Sequence, residues 1–539
     1  MKSKLIAILL MTVLLTTACS VPQSSSTVSQ STAAPSTAAP TTAAESAAQT
    51  TQAATSIENT ADEKEFYEFT LMQNFTPIDQ TDFSVEYFRR LEEKLNTRVN
   101  FQVPAASNYR EALQIMLAGG DYPDAVLMDS VSDQAFIDAL NNDLLVSITP
   151  YLEQYGQSIQ KYSYPMSMNT LKAKDDDEIY GIPRTTVLRA DGFGIRKDWA
   201  EHLNLELPED GGSLTLDEFT ELIRAFTYDD PDGNGLKDTF GLRTESTGGV
   251  LGVHGVIGWA FGLIGWQEID GEYIDLQFSK KHDNYKRALE YMNMLWKEGY
   301  VDPDWPSITN DVAQQRFEAG VYGVQTMFAG HVTQNINNIR KVNENGDLLW
   351  VSGIENEEGK VIGGSFSDGL WNFTSIMKTA KKPERIIELY DYMLSDNAWT
   401  ETVYGPQGMV WDFNSDGEME NIYPGVQIGD GWFRNMVRRS ENPQFFVGLD
   451  VPAENREKVL SLIQISIDNN RVALNAGFVA PITTDLTFID YKSELEKTIT
   501  KIIVGDLPSD AWDDALEGYY AAGYQTFVDQ TVEFIKNRR

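Results

Sequence analysis

The stretch Asp230-Pro231-Asp232-Gly233-Asn234-Gly235-Leu236-Lys237-Asp238 carries the sharpest chemical signal in the 539-residue chain. Side-chain oxygens fall at loop positions one (Asp230), three (Asp232), five (Asn234) and nine (Asp238). Gly235 stands at position six, where the backbone must turn sharply, and Leu236 at seven offers its carbonyl. This is the first part of an EF-hand-like calcium loop, whose hard cation takes about six to eight oxygens. Position twelve is Gly241, so the bidentate carboxylate is missing. The spacing favours Ca2+, held weakly or structurally, over a bare polar loop. A second ring of oxygens, Asp412 to Gly417 with Glu420, has a hairpin context and reads as a turn.

Other reactive chemistry is sparse. The four His (His202, His254, His282, His331) lack the close spacing of a zinc helix, and the single Cys19 excludes Cys clusters and intrachain disulfides. There is no Gly-x-Ser-x-Gly elbow and no Walker loop. An acidic pair could serve a glycosidase, but spacing singles out none. Aromatic residues offer binding chemistry instead. All eleven Trp lie from Trp199 onward, and Trp259, Trp266, Trp371, Trp411 and Trp432 sit in short polar or Gly-flanked stretches. An indole face packs against sugar C–H groups while neighbouring polar groups bind hydroxyls.

The elements that position these residues alternate. Strand patterns at 68–72, 99–103 and 125–128 are separated by helical spacing in Val85, Phe88, Leu91, Leu95 and in Tyr109, Leu113, Met116. A β-α-β-α-β series implies a parallel sheet flanked by helices, with ligands beyond the carboxyl ends of its strands. That places Asn74, Ser107 and Asp129 at a cleft edge, with turn or cap roles as the plain alternative. A second α/β region follows Gly181-Ile182-Pro183-Arg184, where Thr215 and Glu218 form a capping box. Helices are expected at 285–298 and 383–395.

Composition bounds the rest. With 80 acidic and 43 basic residues the net charge is -37, which argues against nucleic acid. The start, Lys2 and Lys4 followed by an apolar run from Leu5 to Leu15 and then Ala18-Cys19, reads as a secretory signal over residues 1–18. It resembles a lipoprotein signal that lipidates Cys19, with Thr16 where Leu is usual. Residues 19–61, rich in Ser, Thr, Ala and Pro, read as a disordered tether.

Together these residues resemble the extracellular solute-binding lipoproteins of bacterial ABC importers, the carbohydrate-type family one. The resemblance rests on the lipoprotein start, Leu117 to Asp124, Leu144 to Leu152, Ile179 to Arg184, Ile195 to Trp199, Leu214 to Phe219 and the Asp230 loop. Large binders of this kind in Gram-positive bacteria, some similar to alginate-oligosaccharide binders, carry a calcium loop here with an acid at position ten, where this chain has Thr239. The resemblance implies a two-lobed α/β fold of the periplasmic-binding-protein type II. Lobe 1 would hold 62–185 plus about 352–378, and lobe 2 about 186–351 plus 379–539. The hinge would lie near Pro183, a ligand-facing Phe328 would end the 322–328 strand, and Arg184 would pair with an acidic sugar or bridge the lobes. It further implies a non-enzymatic monomer, palmitoylated and anchored outside the cell membrane, that delivers an oligosaccharide to an ABC permease. The rivals are a secreted glycoside hydrolase or polysaccharide lyase, and a peptide-binding lipoprotein.

Overall fold

The computed structural model describes the chain from Lys64 to Arg538, apart from 77–80, 106–107, 173–175, 245, 248–249, 252–253, 366–367, 424–431, 441–442, 449–450, 452 and 479. Cys19, the signal, the tether and Ser107 lie outside the described residues. Strand β1 (Tyr67–Met72) pairs in parallel with β2 (Thr97–Gln102) and β3 (Ala125–Met128), as the alternating pattern requires. Next in the chain come β4 (Ile182–Thr185), β5 (Gly192–Arg196), β6 (Phe240–Leu242), β7 (Tyr322–Met327), β8 (Leu348–Val351) and β9 (Leu370–Ile376). They sort into two sheets. The first has the order β2-β1-β3-β9-β4, the second β8-β5-β7-β6. The chain crosses from the first sheet to the second between β4 and β5, and returns between β8 and β9. The α/β architecture is two-lobed, each sheet flanked by helices.

β9 is antiparallel to both of its neighbours, with Phe373 opposite Met128 on one side and Pro183 on the other. Its register against β4 shifts between Leu370 and Asn372, a bulge at Trp371. Bulges re-aim a side chain and are common beside functional sites.

In the second lobe the helix Leu216–Tyr228 begins with the expected capping box, Thr215 and Glu218 satisfying each other's backbone N–H. Its buried face, Phe219, Leu222, Ile223 and Phe226, packs with Leu242 and Val324. The approach to β6 is so close that a Cβ on Gly241 would fall 2.1 Å from the Ile223 carbonyl oxygen. The helices Asn284–Lys297 and Pro383–Leu394 lie where the apolar spacing puts them.

One boundary differs from the sequence reading. Residues 379 to about 437 were expected in lobe 2, yet Ile386, Ile387, Tyr390, Trp399, Phe433 and Val437 are buried in the first core. The reason is pairing across the interior: the Tyr390 hydroxyl hydrogen-bonds the Thr374 hydroxyl of β9 at 3.0 Å, and the Tyr87 hydroxyl bonds that of Thr402 at 2.8 Å. A third core, Phe328, Trp350, Val447 and Ile463 among its members, joins the segment after 446 to β7 and β8.

The C-terminal helices Leu486–Ile503 and Ala511–Tyr519 close the second core with a stack of aromatic rings. Asp275 lies beside it, accepting from the Gln277 backbone N–H at 3.1 Å and the Tyr524 hydroxyl at 3.4 Å. Burial pushes its carboxyl up to about 6, only partly offset by these donors. A carboxyl raised in the folded state binds its proton more tightly there, so folding gains as pH falls through about 6 and loses above it. Asp275→Asn is therefore expected to raise stability at pH 7.5 by ~1–2 kcal/mol, with the gain shrinking towards pH 4.5. Urea unfolding at both pH values checks this; equal gains at both would refute the assignment.

Candidate functional site

The first sheet directs four side chains to one edge. Asn74 follows β1, Asp129 follows β3, Arg184 is near the end of β4, and Trp371 stands at the start of β9, next to Asn372, which faces Arg184 in register. These are the carboxyl ends of the parallel strands, where α/β sheets bind ligands. The chain leaves this edge for the second lobe, so the edge lies at the crossover.

Trp371 is 53% exposed, an unusual position for an indole on a central strand. The Arg438 guanidinium sits 5.1 Å from its ring centroid. From there a chain of contacts runs into the second lobe. Arg438 is 5.9 Å from the Phe446 ring, Phe446 meets Phe328 edge-on at 4.8 Å, and Arg189 lies over Phe328 at 3.9 Å. Phe446 packs against both the first and the third cores, so it bridges the lobes. On the opposite side Arg184 lies 5.7 Å from the Phe75 ring. The Asn435 side-chain oxygen accepts from Arg184 Nη2 and from Arg438 Nη2, each at 3.1 Å.

This assembly is cationic inside an acidic protein. Burial pulls the Arg184 guanidinium down to about 10, and burial together with Arg184, Arg434 and Arg189 pulls Arg438 down to about 8. Burial and the nearby Arg189 also lower His331. Asp191 stands 3.2 Å from Arg189. Arg184 is 7% exposed, forms no ion pair with a described residue, and its Nε has no hydrogen-bond partner there. Arg184 therefore bears a desolvation cost that its hydrogen bond to Asn435 offsets only in part.

The sequence candidates separate clearly. Trp371, Arg184 and Phe328 come together in this assembly, Phe328 as the buried wall beneath Arg189. Asn74 and Asp129 are half-buried on the same sheet edge; Asp129 lies 3.8 Å from Arg110, and burial raises its carboxyl. Trp411 is not at the site. It is buried in the first core and its indole N–H donates to the Gly405 carbonyl at 2.8 Å. Trp266 is buried at the start of a two-stranded ribbon, 6.4 Å from the Phe527 ring. Its Gly-flanked stretch turns inward because the C-terminal helix covers it. Trp259 is half-buried in the short helix His254–Ala260, against Gly363. The side chain of Trp432 lies outside what the structure describes. The reading missed Phe75, Arg189, Asn435, Arg438 and Phe446. A signal for two of them was present: Arg434, Arg438 and Arg439 crowd six positions of a chain with nearly twice as many acids as bases.

The 230–238 loop has the frame of a cation site. Asp230 at φ 53°, Gly233 and Gly235 adopt left-handed backbone, and Gly235 N–H donates to both Asp230 oxygens, at 3.2 and 3.1 Å. Asn234 Nδ2 donates to Asp232 at 2.8 Å and to Asp238 at 3.3 Å, standing in for a positive charge between them. Burial, then the acidic neighbours, raise the Asp232 carboxyl. Thr239 points elsewhere, its hydroxyl donating to the Phe226 carbonyl at 2.9 Å. Among the described residues no group of three or more His, Cys, Asp or Glu is arranged to hold a metal. The donor chemistry suits a hard cation, but the ligand set is open. The 412–417 segment is a turn, with Asn414 accepting from the Asp416 and Glu418 N–H groups at 3.0 and 2.9 Å.

Comparison with known proteins shows the family and the fold. The chain is 27% identical over 334 residues to the polygalacturonan/rhamnogalacturonan-binding protein YtcQ of Bacillus subtilis (strain 168), covering 61% of this chain and 64% of that one. It spans just under two thirds of the length of the first curated relatives it matches. Its fold is similar to the S. pneumoniae ABC-transporter substrate-binding protein FusA, an EF-hand mutant solved with fructo-nystose. There the TM-score is 0.64 at 16% identity, over 87% of this chain and 99% of that chain. The alginate-binding protein AlgQ2, solved without calcium ion, gives a TM-score of 0.65 at 16% identity, over 88% of this chain and 98% of that chain. The model of the bacterial extracellular solute-binding proteins matches residues 78–398, well over half of the sequence, and the chain belongs to that family.

Proposed function

We propose that this protein is the substrate-binding component of an ABC importer, holding an oligosaccharide between its lobes and passing it unaltered to a transmembrane permease. The observation that carries the reading is Trp371. An exposed indole, at a bulge where the chain changes lobes, offers a flat apolar face with the Arg438 guanidinium over the ring, and Arg438 shares the Asn435 side-chain oxygen with Arg184. Such a wall with a few placed donors suits a sugar ring. Side chains from both lobes line it, so closure would bury the ligand, and the ligand favours closure by the extra contacts it makes there. The relatives' names support the class: YtcQ binds polygalacturonan or rhamnogalacturonan, and FusA was solved with fructo-nystose. We further propose a monomer, anchored through lipid on Cys19 outside the membrane after removal of 1–18.

A native mass spectrum of freshly purified protein, followed by titration with a panel of oligosaccharides and peptides, tests this. A retained sugar and saturable sugar binding are expected. Cleavage of the sugars, or binding of peptides alone, would overturn it.

The same reading gives the 230–238 loop a structural Ca2+, held by Asp230, Asp232, Asn234, the Leu236 carbonyl and Asp238. FusA, solved as an EF-hand mutant, and AlgQ2, solved without calcium ion, support it. Asp232→Ala should lower the melting temperature by several degrees in millimolar Ca2+ and leave it unchanged in chelator, by roughly the 2.7 kcal/mol that a ligand at about 100 Kd supplies. Superimposable melting curves in calcium would remove the metal.

A further inference from the structure

A cavity of about 330 Å³ lies in the second lobe between the ribbon strands Trp266–Ile269 and Glu272–Asp275 and the helix Gln525–Arg538, and it shares no lining residue with the Trp371 assembly. The geometry points to a binding site for a small organic cation, an amine or quaternary ammonium group held by the Asp275 carboxylate within walls made by Trp266, Tyr520 and Tyr524.

Three observations carry it. The first is register: Trp266 stands opposite Asp275 across the antiparallel ribbon. Directly opposed residues send their side chains to one face, about 5 Å apart at Cβ, so the carboxylate stands beside the indole. The second is the break after the helix Ala511–Tyr519. The chain kinks at Gly523, φ 123°, and the Tyr520 and Tyr524 rings meet at 5.1 Å and 69°. Two rings set steeply to each other make the corner of an aromatic box, whose faces attract ammonium groups. The Lys280 ammonium, 4.2 Å from the Tyr520 centroid, shows that this ring receives a cation, and Trp266 and Tyr524 add further walls.

The third is charge. At the rim Lys280 pairs with Glu517 at 2.6 Å and Lys281 with Glu272, so those charges cancel. Asp275 has no cationic partner among the described residues; its donors there are the Gln277 N–H and, at a long 3.4 Å, the Tyr524 hydroxyl. One negative charge is left in an aromatic cavity. Burial already raises that carboxyl, and a cation in contact would draw it back down. An anion would face Asp275, and the two lysines that could hold it are engaged. The volume is at the small end of ligand pockets, roughly 300–1,000 Å³, and suits a molecule of choline's size.

The test is calorimetric titration of the whole mature chain, near neutral pH and at constant ionic strength, with choline, tetramethylammonium, the uncharged analogue of choline in which carbon replaces nitrogen, and galactose. Both cations should bind, and the uncharged analogue about 10- to 100-fold more weakly than choline. Asp275→Asn should lose choline affinity by a similar factor without a fall in melting temperature, since it removes an unpaired charge. Tyr520→Leu should weaken choline about 2- to 5-fold, and Tyr520→Phe should retain it because the ring face remains. Equal binding of choline and its uncharged analogue, or choline affinity unchanged in Asp275→Asn, would overturn the assignment. So would the absence of saturation by either cation in the millimolar range. Galactose binding that is lost in Tyr520→Leu, with no binding of choline, would make the cavity a sugar pocket and overturn it as well.

Discussion

Gly241→Ala is expected to destabilise the protein by about 3 kcal/mol or more, lowering the melting temperature by several degrees. The added methyl would lie 2.1 Å from the Ile223 carbonyl oxygen and 2.6 Å from its carbonyl carbon and Cα. All three are backbone atoms of the helix Leu216–Tyr228, so no rotamer change relieves the clash. The helix would have to lift from β6, opening the core at Phe226 and Leu242. Gly119→Ala is the control: a Cβ there meets nothing within 4 Å, and the residue ends a helix. Its melting curve should match or exceed that of the wild type. A Gly241→Ala protein as stable as wild type would show that the helix and strand are less tightly apposed. The same contact bears on position twelve of the 230–238 loop, which Gly241 occupies, its N–H donating to the Thr227 hydroxyl at 2.9 Å. A Glu placed there would weaken the lobe.

Trp371→Ala should produce the largest loss of ligand affinity, roughly 30- to 150-fold, from about 2–3 kcal/mol of aromatic contact. Stability should barely move, because more than half of the side chain already faces solvent. Trp371→Phe should retain part of the affinity, since a smaller ring still stacks. Titration calorimetry with the ligand found in the native mass spectrum, beside thermal melts, reads both effects. A drop in melting temperature with unchanged affinity would make Trp371 a packing residue. Trp411→Ala is the mirror case: buried in the first core, it should cost several kcal/mol of stability, and affinity should fall only as folding does.

Much of the fold was legible because it obeys short-range rules. The parallel start came from alternation of periods, and the helix at Leu216 from its capping box. Arg184, Trp371 and Phe328 could be placed near one another because each ends or begins a recognisable strand. What failed depended on long-range coverage. A Trp in a short polar or Gly-flanked stretch carries the same local pattern whether a later segment buries it, as with Trp411 and Trp266, or leaves it bare, as with Trp371. The return of 379–437 to the first core was hidden for the same reason, since the helix stripe at Ile386 shows that a face is buried but not beneath which sheet. Arg438 and Asn435 were missed because they gain meaning only when β4 brings Arg184 beside them.

The insertion of β9 between β3 and β4 also governs when the protein becomes a protein. Among the described residues β4 pairs with one strand, in a segment translated after the whole second sheet. Until residue 376 is available, the earlier half has an unzipped seam and no way to seal it. Pairings this distant in sequence form slowly. A seam that closes this late leaves the first sheet unfinished until the last third of the chain is made.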